Sequence, residues 1–267
     1  MSLRVQGVDV TIAGHQVLTD VDVSIAPGEL LALVGPNGAG KTTLLNVLAG
    51  DLEPRAGSVE LDGRPVAGIR VRDLARRRAV LPQEQRLAFG FRVIDVVRMG
   101  RSPWTGTAAE DRDDEVVAAA MDRTDVIHLA ERIYPTLSGG EKSRTSLARV
   151  ISQATEIVLL DEPTAALDIR HSEQVLTEAR RLARAGHAVV AVLHDLSIAA
   201  AHADRICVLA DGRVRADGPP SEVMRPDLLA EVYGHPVDVI THRDRLVVIP
   251  HTIDDALPEE APCVPTP

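Results

Sequence analysis

The sequence predicts an α/β fold organised around a phosphate-binding turn, and three observations carry that expectation. An unbroken apolar run, residues 30–34, precedes Gly35-Pro36-Asn37-Gly38-Ala39-Gly40-Lys41-Thr42-Thr43, and Leu44, Leu45 and Leu48 follow at helical spacing before Gly50. Two later apolar runs, 157–160 and 188–193, end abruptly in the polar pairs Asp161-Glu162 and His194-Asp195. Residues 3–34 alternate apolar and polar, as in Val5, Val8, Val10, Ile12 and Val17, Val21, Val23, Ile25. They read as an antiparallel β-meander leading into the strand before the turn.

The turn matches G-x-x-x-x-G-K-[ST] in the context that pattern requires, a strand before it and a helix start after it. Glycines let backbone N–H groups wrap a phosphate with no Cβ in the way, and the helix dipole adds positive potential there. Lys41 is placed to reach β- and γ-phosphates, and the Thr42 hydroxyl suits Mg²⁺.

Bulk properties narrow the class. A chain of 267 residues allows one large α/β domain or a domain with a smaller subdomain. It is 45% hydrophobic but has only two Phe, two Tyr and one Trp, so its core is expected to be aliphatic. A net charge of −10 argues against nucleic acid as the main partner. Two cysteines, Cys207 and Cys263, make neither a disulfide framework nor a metal-ligand pattern, which suits a reducing compartment. The chain opens in polar alternation rather than a signal peptide, and no apolar run approaches the ~20 residues of a membrane span. Any work at a membrane is expected to go through a partner.

Taken in order, residues 57–61 with Asp62-Gly63 predict a short hairpin. Arg70, Arg72, Arg76, Arg77 and Arg78 form a basic run, read as a solvated helix face, with a surface for a partner or lipid headgroups as the functional alternative. Residues 79–83 predict a strand ending at Gln83. The stretch 84–104 turns loop-like and then helical and holds Phe89, Phe91 and Trp104. Aromatics gathered in one loop mark a contact surface, a small local core being the alternative. Residues 110–131 predict an amphipathic helix.

Leu137-Ser138-Gly139-Gly140-Glu141 opens a further helix, with Ser138 as N-cap and the bare Gly139-Gly140 backbone exposing N–H groups at its positive end. The adjacent acids Asp161 and Glu162 are costly after an apolar strand unless they face a cation or a reacting water. Asp161 fits a Mg²⁺-side carboxylate, and Glu162 a base or water-orienting group. A helix over 172–184 leads to the strand that ends at His194. Gln83, Asp161-Glu162 and His194 all end strands, where ligands gather in parallel sheets. A hairpin over 204–218, a helix over 221–233 and a strand pair at 237–240 and 246–249 close the fold. The acidic, proline-rich residues 251–267 predict a disordered tail.

These stations together resemble the ATP-binding-cassette ATPase subunits, over about residues 3–250. Gln83 sits at the family's Q-loop, 137–141 at its signature motif, Asp161-Glu162 at the end of its Walker B strand, 166–168 at its D-loop and His194 at its switch histidine. The resemblance implies a cassette over 1–250 with a RecA-like core, an antiparallel β subdomain and a helical subdomain at about 84–155. It implies ATP held by Gly35, Pro36, Asn37, Gly38, Ala39, Gly40, Lys41, Thr42 and Thr43, with Gln83, Ser138, Gly139, Gly140, Glu141 and Asp168 also contacting nucleotide. Thr42, Gln83 and Asp161 would hold Mg²⁺, and Glu162, His194 and Lys41 would act in hydrolysis.

A nucleotide-sandwich dimer follows, docked under two transmembrane permease subunits at the cytoplasmic face of the membrane and serving a separate binding protein. Within the family, residues 83–93 and 97–104 are similar to the group importing iron-siderophores, haem and cobalamin. The run Leu87-Ala88-Phe89-Gly90-Phe91 and residues 167–173 lean toward the haem importers, with siderophore or cobalamin import and a soluble, non-transport cassette as alternatives. Three departures stand out. Ile12 occupies the place of an adenine-stacking aromatic, with His15 nearby. Glu141 replaces a commoner glutamine and would bring negative charge near the phosphates. Ala165-Ala166 stands where serine usually precedes the alanine.

Overall fold

The computed structural model describes residues 3–83, 89–165 and 167–252. Two strands open it, β1 (Leu3–Ile12) and β2 (His15–Ile25), paired antiparallel from Leu3↔Ile25 to Ile12↔His15. The expected meander stops there. β3 (Leu30–Val34) leaves for a second sheet, where it lies between two parallel neighbours. The reason is legible in its burial. β1 and β2 alternate buried and exposed residues, whereas all five residues of β3 are buried, as a strand covered on both faces must be.

α1 (Lys41–Ala49) follows the glycine-rich turn and ends at Gly50 in the left-handed conformation. β4 (Ala56–Leu61) and β5 (Arg64–Pro65) complete a four-stranded antiparallel sheet of order β2-β1-β4-β5. α2 (Val71–Ala75) and β6 (Arg78–Leu81) return the chain to the large sheet. A helical region then runs through α3 (Val93–Arg98), α4 (Asp113–Arg123) and α5 (Gly139–Ser152). The helix expected over 110–131 is shorter, because Thr124 Oγ1 bonds back to the Ala120 carbonyl and Asp125 turns to φ +54°.

β7 (Ile157–Asp161), α6 (Ile169–Arg184), β8 (Ala188–Val192), α7 (Leu196–His202), β9 (Arg205–Ala210) and β10 (Arg213–Gly218) build the rest of the core. Among the described residues the large sheet has six strands in the order β10-β9-β3-β8-β7-β6, all parallel except β10. The closing helix divides into α8 (Pro220–Val223) and α9 (Pro226–Tyr233), since Pro226 cannot continue a helix and starts a new one. β11 (Val237–His242) and β12 (Arg245–Pro250) pair in a hairpin laid on α7, where the Ser197 hydroxyl accepts the Val248 N–H at 3.0 Å.

Strand alternation divides the core in two. On β3, Leu30, Ala32 and Val34 join a cluster with α3, α4, α5 and α9, while Leu31 and Leu33 face α1 and the small sheet. β7 and β8 split in the same way. The large sheet is therefore a wall with the antiparallel layer on one side and the helical region on the other.

The basic run is a solvated face in part: Arg70 and Arg72 are exposed, whereas Arg76, Arg77 and Arg78 are partly buried. Arg77 bridges Asp62 and Glu156, Arg78 binds the Ala49 carbonyl and Asp51, and Arg72 and Arg76 donate to the Pro103 carbonyl. The aromatic stretch divides. Trp104 is tied inward, its Nε1 donating to the Gln153 carbonyl at 2.7 Å with Arg76 and Arg101 against its ring. Phe89 and Phe91 remain exposed and meet edge-to-face at 6.2 Å. Residues 84–88 of that stretch, Ala166 and the tail from 253 onward lie outside the described residues.

Candidate nucleotide site

The parallel sheet delivers its functional side chains to one edge. β3 is central, and its C-terminal end runs into the glycine-rich turn. The neighbours β8 and β7 end at His194 and at Asp161-Glu162, and β6 ends just before Gln83. This is the edge at which open α/β sheets bind ligands.

Two glycines of the turn are required by geometry. A Cβ on Gly35 would lie 1.9 Å from the Leu209 carbonyl oxygen, so the chain leaves β3 pressed against β9. Gly40 caps α1 at φ +97°, and a Cβ there would meet Leu18 at 2.7 Å. Inside the turn Lys41, 6% exposed, donates from Nζ to the carbonyls of Gly35 and Pro36 at 2.8 Å each. Burial lowers its pKa, while Glu162 and Asp161 pull the other way.

Asp161 is 4% exposed, and its Oδ1 accepts from the Thr42 hydroxyl at 3.2 Å. Burial raises its pKa, the Thr42 bond opposes that, and Glu162 raises it again. Glu162 sits at φ +49°, a conformation uncommon for a non-glycine residue. His194 Nε2 lies 2.6 Å from Glu162 Oε1. Asn37, Gly38, Gly40, Lys41, Thr42, Thr43, Glu162 and His194 line one open cleft of about 250 Å³, together with Val17. Gln83, Gly139, Asp161 and Glu162 line an adjoining cavity of about 200 Å³. Glu162 belongs to both.

The other expected residues lie outside the cleft that holds Lys41, with Gly139 in the adjoining cavity. Ser138 caps α5 in a full capping box: its hydroxyl accepts the Glu141 N–H at 3.3 Å, and Glu141 Oε2 accepts the Ser138 N–H at 2.7 Å. Among the described residues the N–H groups of Gly139 and Gly140 have no acceptor, which leaves donors at the positive end of a 14-residue helix. Glu141, expected to bring negative charge near the phosphates, is engaged within its own cap. Its carboxylate is turned back into the cap and paired with Arg132 at 3.0 Å, and its pKa is lowered by the Ser138 N–H first of all. Asp168 caps α6, accepting the His171 N–H at 2.8 Å and facing the His171 ring at 2.7 Å. Ile12 is 45% exposed and pairs with His15 at the hairpin end, while Val17 lines the cleft. Sequence reasoning passed over Val17 and Arg132. Val17 is the unpaired residue at a register shift in β2, which the strand's period does not reveal, and nothing in the spacing indicates Arg132.

Fold and site together define a P-loop ATPase of the cassette type. The chain belongs to the ABC transporter family, whose model, described as "ABC transporter", matches residues 18–165. It is 56% identical over 247 residues to a Nocardia farcinica protein named "Hemin import ATP-binding protein HmuV", covering 91% of this chain and 86% of that protein. A Streptomyces coelicolor protein of the same name is 54% identical over 247 residues, covering 92% and 88%. Among solved structures, a metal-chelate type ABC transporter in an inward-facing conformation superposes with a TM-score of 0.80 at 26% identity, covering 95% of this chain and 98% of that one.

Proposed function

We propose that this chain is the ATP-hydrolysing motor of a membrane importer for haem, working as a two-copy sandwich beneath a permease. The observation that carries the chemistry is the Glu162 carboxylate, partly buried just past the end of β7, shared by the nucleotide cleft and the cavity beside Gln83, and held by His194 at 2.6 Å. Residues 35–43 cradle the phosphates, with Lys41 exchanging its two carbonyl partners for phosphate oxygens. Thr42 and Asp161 offer adjacent hard oxygen donors at a buried acidic pair that wants a cation, and Gln83 adds a third oxygen. That donor set fits Mg²⁺, which keeps most of its shell for water and phosphate. When bound, the ion neutralises charge on the phosphates.

In hydrolysis, a water oxygen forms a bond to the γ-phosphorus as the bond to the ADP oxygen breaks. Glu162 orients that water and takes its proton, and His194 fixes the carboxylate. The free N–H groups of Gly139 and Gly140, and Asp168 beyond them, do not line the cleft holding Lys41. They serve the nucleotide of a second copy, which is why one chain is half a site.

Among the described residues no helix is long and apolar enough to cross a membrane, so transport needs separate permease subunits. Phe89 and Phe91, 71% and 38% exposed beside the 40%-exposed Ile133, offer them an apolar landing surface on the cytoplasmic side. Haem as cargo is carried over from the printed names of the relatives. Cargo is selected outside this subunit, by the permease and a haem-binding protein.

The test is ATPase activity after reconstitution with the permease of the same cell, with and without a haem-loaded binding protein. Stimulation by haem and its carrier is expected. Glu162→Gln is expected to cut turnover at least 100-fold while the variant still forms an ATP-bound dimer; full hydrolysis would sink the role of Glu162. Stimulation by a siderophore or cobalamin carrier instead would keep the motor and change the cargo.

A further inference from the structure

The first turn of α5 uses its polar groups unevenly. Ser138 and Glu141 give their N–H groups to the capping box, while those of Gly139 and Gly140 have no acceptor among the described residues. A Cβ on Gly139 would meet nothing within 4 Å, so the backbone there is open to an incoming group. A helix N-terminus carries the equivalent of roughly +0.5 of an elementary charge, and Glu141 sets a full negative charge in the same turn. By that count the turn alone would present about −0.5 to an approaching anion, with its free donors beside a repelling carboxylate.

Arg132 reverses the sign. Its Nη1 donates to Glu141 Oε1 at 3.0 Å while Glu141 Oε2 accepts the Ser138 N–H at 2.7 Å, so both oxygens of the carboxylate are engaged. With the guanidinium counted, the turn presents about +0.5 again. Among the described residues Arg132 is the one cation in ion-pair contact with Glu141. Lys142 lines the cavity beside Gln83 instead, and Arg144 is buried a turn further along α5.

The backbone that carries Arg132 is tied on both sides. Its N–H donates to the Leu129 carbonyl at 2.8 Å, and its carbonyl accepts the Val93 N–H at 2.9 Å. The Arg92↔Ile133 bridge and the Tyr134 N–H, which donates to the Phe91 carbonyl at 2.8 Å, continue the pairing. The guanidinium therefore reaches α5 from a fixed base. An ion pair whose arginine side chain is 48% exposed adds little to stability, so holding the fold together is not what this one is suited to do.

We propose that Arg132 is a positioning residue for hydrolysis, offsetting the Glu141 charge so that the free N–H groups of Gly139 and Gly140 can donate to an anionic phosphate. That phosphate is the second copy's, so the proposal rests on the two-copy site proposed above.

The experiment follows MgATP-driven dimerisation by sedimentation, using full-length chains that carry Glu162→Gln as the parent. Adding Arg132→Gln is expected to weaken the dimer at least about 10-fold, because an uncompensated carboxylate then faces phosphate. MgATP affinity of the single chain should stay within about 2-fold, since Arg132 does not line its own cleft. Arg132→Lys, which keeps the charge but not the fork, should stay within about 3-fold of the parent. The decisive chain adds Arg132→Gln and Glu141→Gln together. A glutamine amide oxygen still accepts the Ser138 N–H, and with no charge left to offset, dimerisation should return to within about 3-fold of the parent. In chains that keep Glu162, kcat should fall and recover in the same order. A dimer untouched by Arg132→Gln would overturn the proposal, as would a loss that Glu141→Gln does not restore, which marks a structural brace. A parent that never dimerises would refute the two-copy reading and this proposal with it, so the two failures are told apart.

Discussion

Asp161 has Glu162 as its chain neighbour and is almost wholly withdrawn from water, so its ionised form is costly in the folded chain. Its folded-state pKa lies above the unfolded value. Between those values the folded chain binds the extra proton, so stability falls as pH rises through that window, and the cost persists above it. Asp161→Asn removes the charge with little change of shape. It is expected to raise the melting temperature of the nucleotide-free protein at neutral pH, with the gain vanishing on the acid side of the carboxylate range. Thermal unfolding across pH checks this. The same variant should lose Mg²⁺-dependent activity, which separates the electrostatic cost of the site from its use. Glu141 shows the converse arrangement, in which the Ser138 N–H and Arg132 favour the charged form.

Among the elements, the helical region depends on Arg101. It is 3% exposed, and it donates to Asp113 Oδ1 at 2.7 Å, to the Ser152 carbonyl at 2.9 Å and to the Ala109 carbonyl at 3.2 Å. Those bonds join the start of α4 to the end of α5, and Trp104 packs against the same guanidinium. Breaking such a pair from one side leaves Asp113 uncompensated. Arg101→Met is therefore expected to cost about 3 kcal/mol and to lower the melting temperature by roughly 6–12 °C for a chain of this size. Circular dichroism on heating is the check, and a loss under ~1 kcal/mol would show that water reaches Asp113 freely. The arginines of 70–78 act similarly, joining the small sheet, the large sheet and the helical region.

At the scale of the whole molecule, the site is assembled from the ends of β3, β6, β7 and β8, so nucleotide binding draws on the complete fold. A ligand that binds only the folded state stabilises it by mass action. MgATP at 100 times its Kd should add ~2.7 kcal/mol, a rise of roughly 5–10 °C in melting temperature. Lys41→Ala should remove most of that shift, as a thermal titration with MgATP would show. The proposed two-copy reading would give the free N–H groups of Gly139 and Gly140, which do not line the cleft holding Lys41, to the nucleotide of a second copy.

What could be read in the chain was whatever is local in sequence. The turn at 35–43 announces itself because phosphate cradling needs glycines, a lysine and a hydroxyl at fixed offsets. Asp161, Glu162 and His194 stand out because polar groups after buried strands are expensive without a purpose. The Ser138 cap was legible because capping spans three residues. Tertiary structure decided the rest. It sent β3 into the parallel sheet, because strand pairing partners lie more than 150 residues away in the chain and alternation reports only one strand's own faces. It made Arg76, Arg77 and Arg78 into braces and turned Trp104 inward, because the counter-charges and carbonyls for them come from the end of α1, from Pro103 and from the turns that follow β4 and α5.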